Sequence, residues 1–135
     1  MYKNILIPVL FDKEHDTQAS YLVARSLAGE DTTFTVMHVI EEIPDFVVNQ
    51  LPSELLANSR HEAEVALEKS AAALPGARTE LLSGHAGRLI VDYAKDNGID
   101  CIIMASHRPG FEDYFLGSTA GRVVRHASCS VHVIR

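Results

Sequence analysis

Apolar residues along the chain fall into short unbroken runs and stretches with helical spacing. Ile5-Leu6-Ile7-Pro8-Val9-Leu10 is an unbroken run, the pattern of a strand buried on both faces in a parallel sheet. Asp16 is placed to cap a helix from Thr17 to Ala28, where Ala19, Leu22, Val23, Ser26 and Leu27 recur at helical spacing and Gly29 supplies the stop. Phe34 to Ile40 is rich in apolar and β-branched residues and predicts a second strand. A long connection with Pro44 and Pro52 follows. From Ser53, read as a cap, to Leu74 the pattern predicts one long helix, with Leu55, Leu56, Ala63, Ala66, Leu67 and Ala71 facing inward and Pro75-Gly76 ending it.

Arg78 to Leu82 alternates polar and apolar residues, as a strand near a sheet edge with one face in water would. Gly84 turns the chain. Leu89, Ile90, Tyr93 and Ala94 then define a helix closed by Asn97-Gly98. Cys101 to Ala105 is wholly apolar, a buried strand, and a Gly-containing loop runs from Ser106 to Gly117. Ser118 is read as the cap of a helix through about His126, and Val131 to Ile134 forms a fifth strand. Five strands alternating with four helices predict one α/β domain over residues 1–135, doubly wound around a parallel sheet. The two most apolar strands belong in the middle, giving the order 3-2-1-4-5.

Composition narrows the function. Hydrophobic residues make up 47% of the 135 residues and charged residues 22%, as in globular proteins and unlike disordered chains. With 12 Lys and Arg against 18 Asp and Glu, the net charge of -6 disfavours nucleic acid and anionic membranes. No apolar run nears the roughly 18 residues that span a bilayer, and Met1 to Ile5 offers no signal-cleavage site. The expectation is a cytoplasmic protein without membrane insertion. Cys101 and Cys129 form no disulfide framework or metal-ligand spacing, so both are read as buried thiols.

Open α/β sheets bind ligands beyond the carboxyl ends of their strands, where successive connections diverge. The crevice is expected between strands one and four, lipped by Pro8, Val9, Leu10, the strand end near Val39, and the loop from Ala105 to Ser118. Gly117-Ser118 opens a helix whose free N–H groups favour an anion such as phosphate. His107 and Arg108 add donors, and Gly110 permits close backbone approach. An ordinary surface turn before an ordinary helix start fits the same residues. No Gly-Lys-Ser or Gly-Lys-Thr loop and no Gly-x-Gly-x-x-Gly follows the first strand, which excludes P-loop kinases and dinucleotide-binding dehydrogenases.

Ile5 to Val9, Ala105 to Pro109, Leu116 to Ser118 and Val123 to Arg135 together resemble the universal stress protein family across the whole chain. The resemblance implies a Rossmann-like fold of the adenine nucleotide alpha hydrolase-like kind. It also implies ATP or AMP as ligand, a regulatory role in the stress response, and a homodimer through Val131 to Ile134. Pro8, Val9, Leu10 and Val39 would flank the adenosine, with Met104, Ser106 and His107 on the strand-four side. Arg108, Gly110, Gly117, Ser118 and Thr119 would surround the phosphates.

The family's ATP-binding pattern is a Gly, two residues, a Gly, nine residues, then Gly with Ser or Thr. Here Ala105 replaces the first Gly, Arg108 stands near the second, and the 11 residues at positions 106–116 replace the 12 of the pattern. Ser106-His107-Arg108-Pro109 is similar to a bacterial subgroup of small stress proteins with a shorter loop. Leu10 stands where the family has an Asp that holds the adenosine, and Asp12 is not promoted to that role. Glu112 and Asp113 are candidates for Mg²⁺ and His107 for a base, but no catalytic group is evident and no enzyme activity is expected. Two further readings stay open: an adaptor dimer that no longer binds nucleotide, and a slow ATPase. The regulated partner is not named by the sequence.

Overall fold

A computed structural model describes residues 1–10, 17–41, 45–106 and 116–135. The elements are β1 (Tyr2–Pro8), α1 (Thr17–Leu27), β2 (Ala28–Glu41), α2 (Asp45–Val48), α3 (Ser53–Ala71), β3 (Arg78–Gly84), α4 (Ala86–Asp96), β4 (Cys101–Ala105), α5 (Ser118–His126) and β5 (Ser130–Ile134). All strand pairs are parallel and the order is β3-β2-β1-β4-β5, as the burial pattern of the strands predicts.

Alternation along the two central strands divides the core into two layers. Ile5, Ile7 and Val9 of β1 with Cys101 and Ile103 of β4 meet Tyr21 and Ala24 of α1 and Leu67 and Ala71 of α3. Leu6, Ile102 and Met104 face the other way, against Ile90 and Ala94 of α4 and Ala120 and Val123 of α5. Ile5 to Ile7 of β1 and Cys101 to Met104 of β4 are apolar throughout because each face is covered by helices.

The start of β1 is fixed from the neighbouring strand. The Asp100 carboxylate accepts from the Lys3 and Asn4 N–H groups at 2.8 and 3.0 Å, and Asn4 accepts from the Asp100 N–H at 3.0 Å. This clasp sets the register in which β1 and β4 end side by side, where the crevice opens.

Several boundaries differ from the sequence reading. α1 buries Ser20, Tyr21 and Ala24, while Leu22 is 59% exposed, so its inner face is rotated from the one that apolar periodicity selects. The Tyr21 hydroxyl meets Ser70 Oγ of α3 at 2.5 Å, which satisfies its polar tip inside the layer. The Asp16 cap lies outside the described residues. β2 begins at Ala28, directly after α1, because a register irregularity between Tyr2 and Asn4 absorbs the extra residues. Thr32 Oγ1 holds it, donating to the Tyr2 carbonyl and accepting from the Gly29 N–H.

A short helix, α2, lies in the long connection after β2, making five helices among the described residues where four were expected. Pro52, not Ser53, is the N-cap of α3 and Gly117, not Ser118, that of α5, neither using a side-chain bond. Only the C-terminal half of α3 reaches the core: Leu67 and Ala71 are buried, but Leu55 is exposed. β3 is an edge strand as expected, yet Leu81 and Leu82 join opposite core layers instead of one.

Candidate functional site

β1 has β2 on one side and β4 on the other, and α1 packs on one face of the sheet while α5 packs on the opposite one, the arrangement that opens a crevice at the carboxyl ends of β1 and β4. Val9 continues the ladder past Pro8, its N–H donating to the Met37 carbonyl at 2.8 Å and its carbonyl lying 2.9 Å from His38 Nδ1. Beyond Val9 the chain departs, and a cavity of about 230 Å³ lies over the strand ends. Pro8, Val9, Leu10, Met37, Val39, Met104 and Ala105 form its strand side, Thr17 and Ser20 of α1 and Ala86 and Ile90 of α4 its flanks, and Thr119 and Glu41 its rim. Val9, Val39 and Met104 are also core residues, so packing and cavity floor are one role. Leu10 is half exposed.

A second cavity, of about 690 Å³, follows the outer face of α5 and is lined by Gly117, Ser118, Thr119 and residues further along that helix. Thr119 and Glu41 line both cavities, which makes the pair one crevice with an apolar inner chamber and a polar outer one.

The seam between β4 and α5 is set by backbone. The Ser106 N–H donates to the Ile134 carbonyl at 2.9 Å, and the Ser106 carbonyl accepts from the Gly117 N–H at 2.8 Å. A β-carbon on Gly117 would come within 2.5 Å of that carbonyl oxygen, so this close approach requires glycine. Ser106 is buried and is not among the residues that line either cavity, and its backbone braces the seam beside them.

The structure therefore brings Pro8, Val9, Leu10, Val39, Met104, Gly117, Ser118 and Thr119 together. His107, Arg108 and Gly110 lie outside the described residues, as do Asp12, Glu112 and Asp113. Sequence reasoning missed Thr17, Ser20, Glu41, Ala86 and Arg122. In a parallel sheet the first turn of every following helix lies beside the strand ends, and applying that rule to α1 and α4 as well as α5 points to three of them, Thr17, Ser20 and Ala86.

Among the described residues, no three His, Cys, Asp or Glu side chains gather to hold a metal ion, and no helix is long and apolar enough to cross a membrane. Burial pushes the Cys101 thiol up to about 11, with Cys129 and Asp100 adding to the rise. Cys129 is raised by burial and then by Asp100. Both thiols stay protonated at neutral pH; Cys101 is buried as expected, whereas Cys129 is only partly buried.

A family model described as the universal stress protein family matches residues 1–135. The chain belongs to the universal stress protein family. Universal stress protein G of Salmonella typhimurium is 26% identical over 143 residues, covering all of both chains. Universal stress protein UspA from Lactobacillus plantarum is 30% identical with a TM-score of 0.70, over 99% of this chain and 98% of that one. The structure of the hypothetical protein MJ0577 superposes with a TM-score of 0.83 at 26% identity, over 99% of this chain and 96% of that one. More distant family structures share the fold alone: one from Archaeoglobus fulgidus in complex with dAMP, 17% identical with a TM-score of 0.67, and one from Arabidopsis thaliana with AMP bound, 16% identical with a TM-score of 0.63.

Proposed function

We propose that this universal stress protein is a cytoplasmic regulator that binds an adenine nucleotide, ATP or AMP, in the crevice between β1 and β4, and acts as a homodimer. The observation that carries the reading is the joined pair of chambers. Small-molecule sites commonly measure about 300–1,000 Å³. The inner chamber of about 230 Å³ suits a ring system alone, and a sugar phosphate would pass Thr119 and Glu41 into the outer one. There the start of α5 offers backbone N–H groups and the Ser118 and Thr119 hydroxyls to a phosphate. Arg108 and Gly110 are the further phosphate contacts this reading assigns, and Ser106-His107-Arg108-Pro109 the loop variant that carries them. The bound nucleotide acts as a signal rather than a substrate, since no described group is assigned to hydrolysis.

Leu10 favours a second reading. Half exposed at the mouth, it supplies no acceptor for an adenosine hydroxyl, and losing a charged hydrogen-bond partner costs about 1.5–3 kcal/mol, roughly one to two decades of affinity. An adaptor that no longer needs nucleotide would tolerate it. Glu41, on the rim of both chambers, is the carboxylate placed to supply that acceptor instead. The dimer is supported by β5, which pairs with β4 on one side only among the described residues and leaves Val131, Val133 and Ile134 half-buried at the sheet edge.

Calorimetric titration of the purified protein with ATP and AMP, alongside sedimentation, tests both parts. Saturable heat and a mass of twice the 14.8 kDa chain are expected. No heat with either nucleotide, and none released on denaturation, would leave the adaptor; a monomeric mass would remove the dimer.

A further inference from the structure

The inner chamber is apolar almost throughout, and its polar residues are Thr17, Ser20, Glu41 and Thr119. Glu41 is exposed and Thr17 and Thr119 are partly so, which leaves Ser20, only 3% exposed, as the polar side chain enclosed at the inner wall. It belongs to the first turn of α1. Because α1 packs on one face of the sheet and α5 on the other, Ser20 and the Thr119 rim lie at opposite ends of the chamber.

Among the described residues the Ser20 hydroxyl has no hydrogen-bond partner. Its oxygen is not sealed inside the protein either: no fully enclosed side-chain oxygen or nitrogen of the described residues lacks a partner, so this one opens on the chamber that Ser20 lines. Packing gives no reason for a hydroxyl here, since α1 buries Ser20 while Leu22 is 59% exposed. A hydroxyl withdrawn from bulk water without a partner is unfavourable. A ligand that supplies the partner removes that penalty, and an analogue that cannot supply it is rejected.

We infer that Ser20 is a specificity-determining residue of the crevice: its hydroxyl pairs with a polar group on the buried edge of the bound ring, so that the chamber selects a heteroaromatic ring over an apolar one of the same size. This rests on the nucleotide reading. With the phosphate leaving past Thr119 and Glu41, the edge of adenine turned to Ser20 is the one remote from the sugar, which carries the ring nitrogen N1 and the 6-amino group. A serine hydroxyl both donates and accepts, so it serves either by donating to N1 or by accepting from the amino group. The empty protein is the less stable for holding that hydroxyl unpaired, a trade of stability for function that binding sites commonly make.

Wild type, Ser20→Ala and Ser20→Cys are melted without ligand and then titrated calorimetrically with AMP and two analogues: purine riboside 5′-monophosphate, which lacks the 6-amino group, and 1-deaza-AMP, which lacks N1. Ser20→Ala is expected to melt at or above wild type, because alanine favours the helix and leaves nothing unpaired, yet to bind AMP about tenfold more weakly. Wild type binds one or both analogues about tenfold more weakly than AMP, and Ser20→Ala no longer distinguishes them from AMP. Ser20→Cys fills the same space with a weak hydrogen-bonding group and follows Ser20→Ala. A lower melt for Ser20→Ala would show that the hydroxyl serves the fold. An AMP affinity changed less than twofold, equal binding of all three ligands by wild type, or an equal loss for all three in Ser20→Ala would show that it does not read the ring. Each of these results overturns the inference and leaves the nucleotide reading standing, whereas wild type that binds none of the three overturns both.

Discussion

Gly117→Ala is expected to weaken nucleotide binding by at least on the order of tenfold and to destabilise the fold by about 1–3 kcal/mol, the range for forcing a methyl into packed space. The new β-carbon would sit 2.5 Å from the Ser106 carbonyl oxygen, against the 3.4 Å at which ordinary contact begins, so β4 and α5 must part by roughly 0.9 Å, the difference between those distances. The obstacle is backbone, not a flexible side chain that can swing away. The same carbonyl accepts the Gly117 N–H, and Gly117 in turn accepts from the Gly121 N–H at 2.7 Å, so the shift reaches the first turn of α5 and its phosphate donors. Denaturant unfolding with AMP titration reads both effects, and a variant that melts and binds like wild type would show that the seam is not needed. Larger substitutions there, such as Gly117→Asp, add the same clash to any loss of phosphate contact.

Ile103→Ala should cost about 2–5 kcal/mol, the range for truncating a buried aliphatic side chain to a methyl. Ile103 is wholly buried on β4, between β1 and β5, in the layer closed by α1 and α3. Domains of this size are stable by about 5–15 kcal/mol, so the variant should melt on the order of 10 °C lower. Leu55→Ala, on the exposed half of α3, serves as a control with a shift within about 0.5 kcal/mol. A loss at Ile103 no greater than at Leu55 would contradict the two-layer core.

The strands were the most legible part of the fold. In a doubly covered sheet the middle of each central strand is buried, Ile5 to Ile7 in β1 and Cys101 to Met104 in β4, so these apolar runs mark the central pair and, through it, the crevice. The helices carried less information, because an apolar stripe shows only that some face is buried. In α1 the face that packs holds Ser20, Tyr21 and Ala24, and Tyr21 reads as inward only once its bond to Ser70 is known. In α3 the apolar residues near Ser53 extend beyond the layer they would otherwise cover.

The site followed the same division. Its floor lies at strand ends: Val9 and Val39 followed from the topology, and Met104 from the family resemblance. Glu41 and Arg122 escaped, since a carboxylate at the end of β2 and an arginine in mid-helix have no local pattern, and their meeting across the crevice depends on how α5 lies against α4 at Gly87.

The central claim is that adenosine occupies the inner chamber, and site-resolved amide shifts on adding AMP to isotopically labelled protein test it most directly. The account predicts saturable shifts concentrated at Val9, Val39, Met104, Gly117 and Thr119, with Arg122 moving further under ATP. Shifts confined to α3 and β3, or no shifts at saturating AMP, would contradict it.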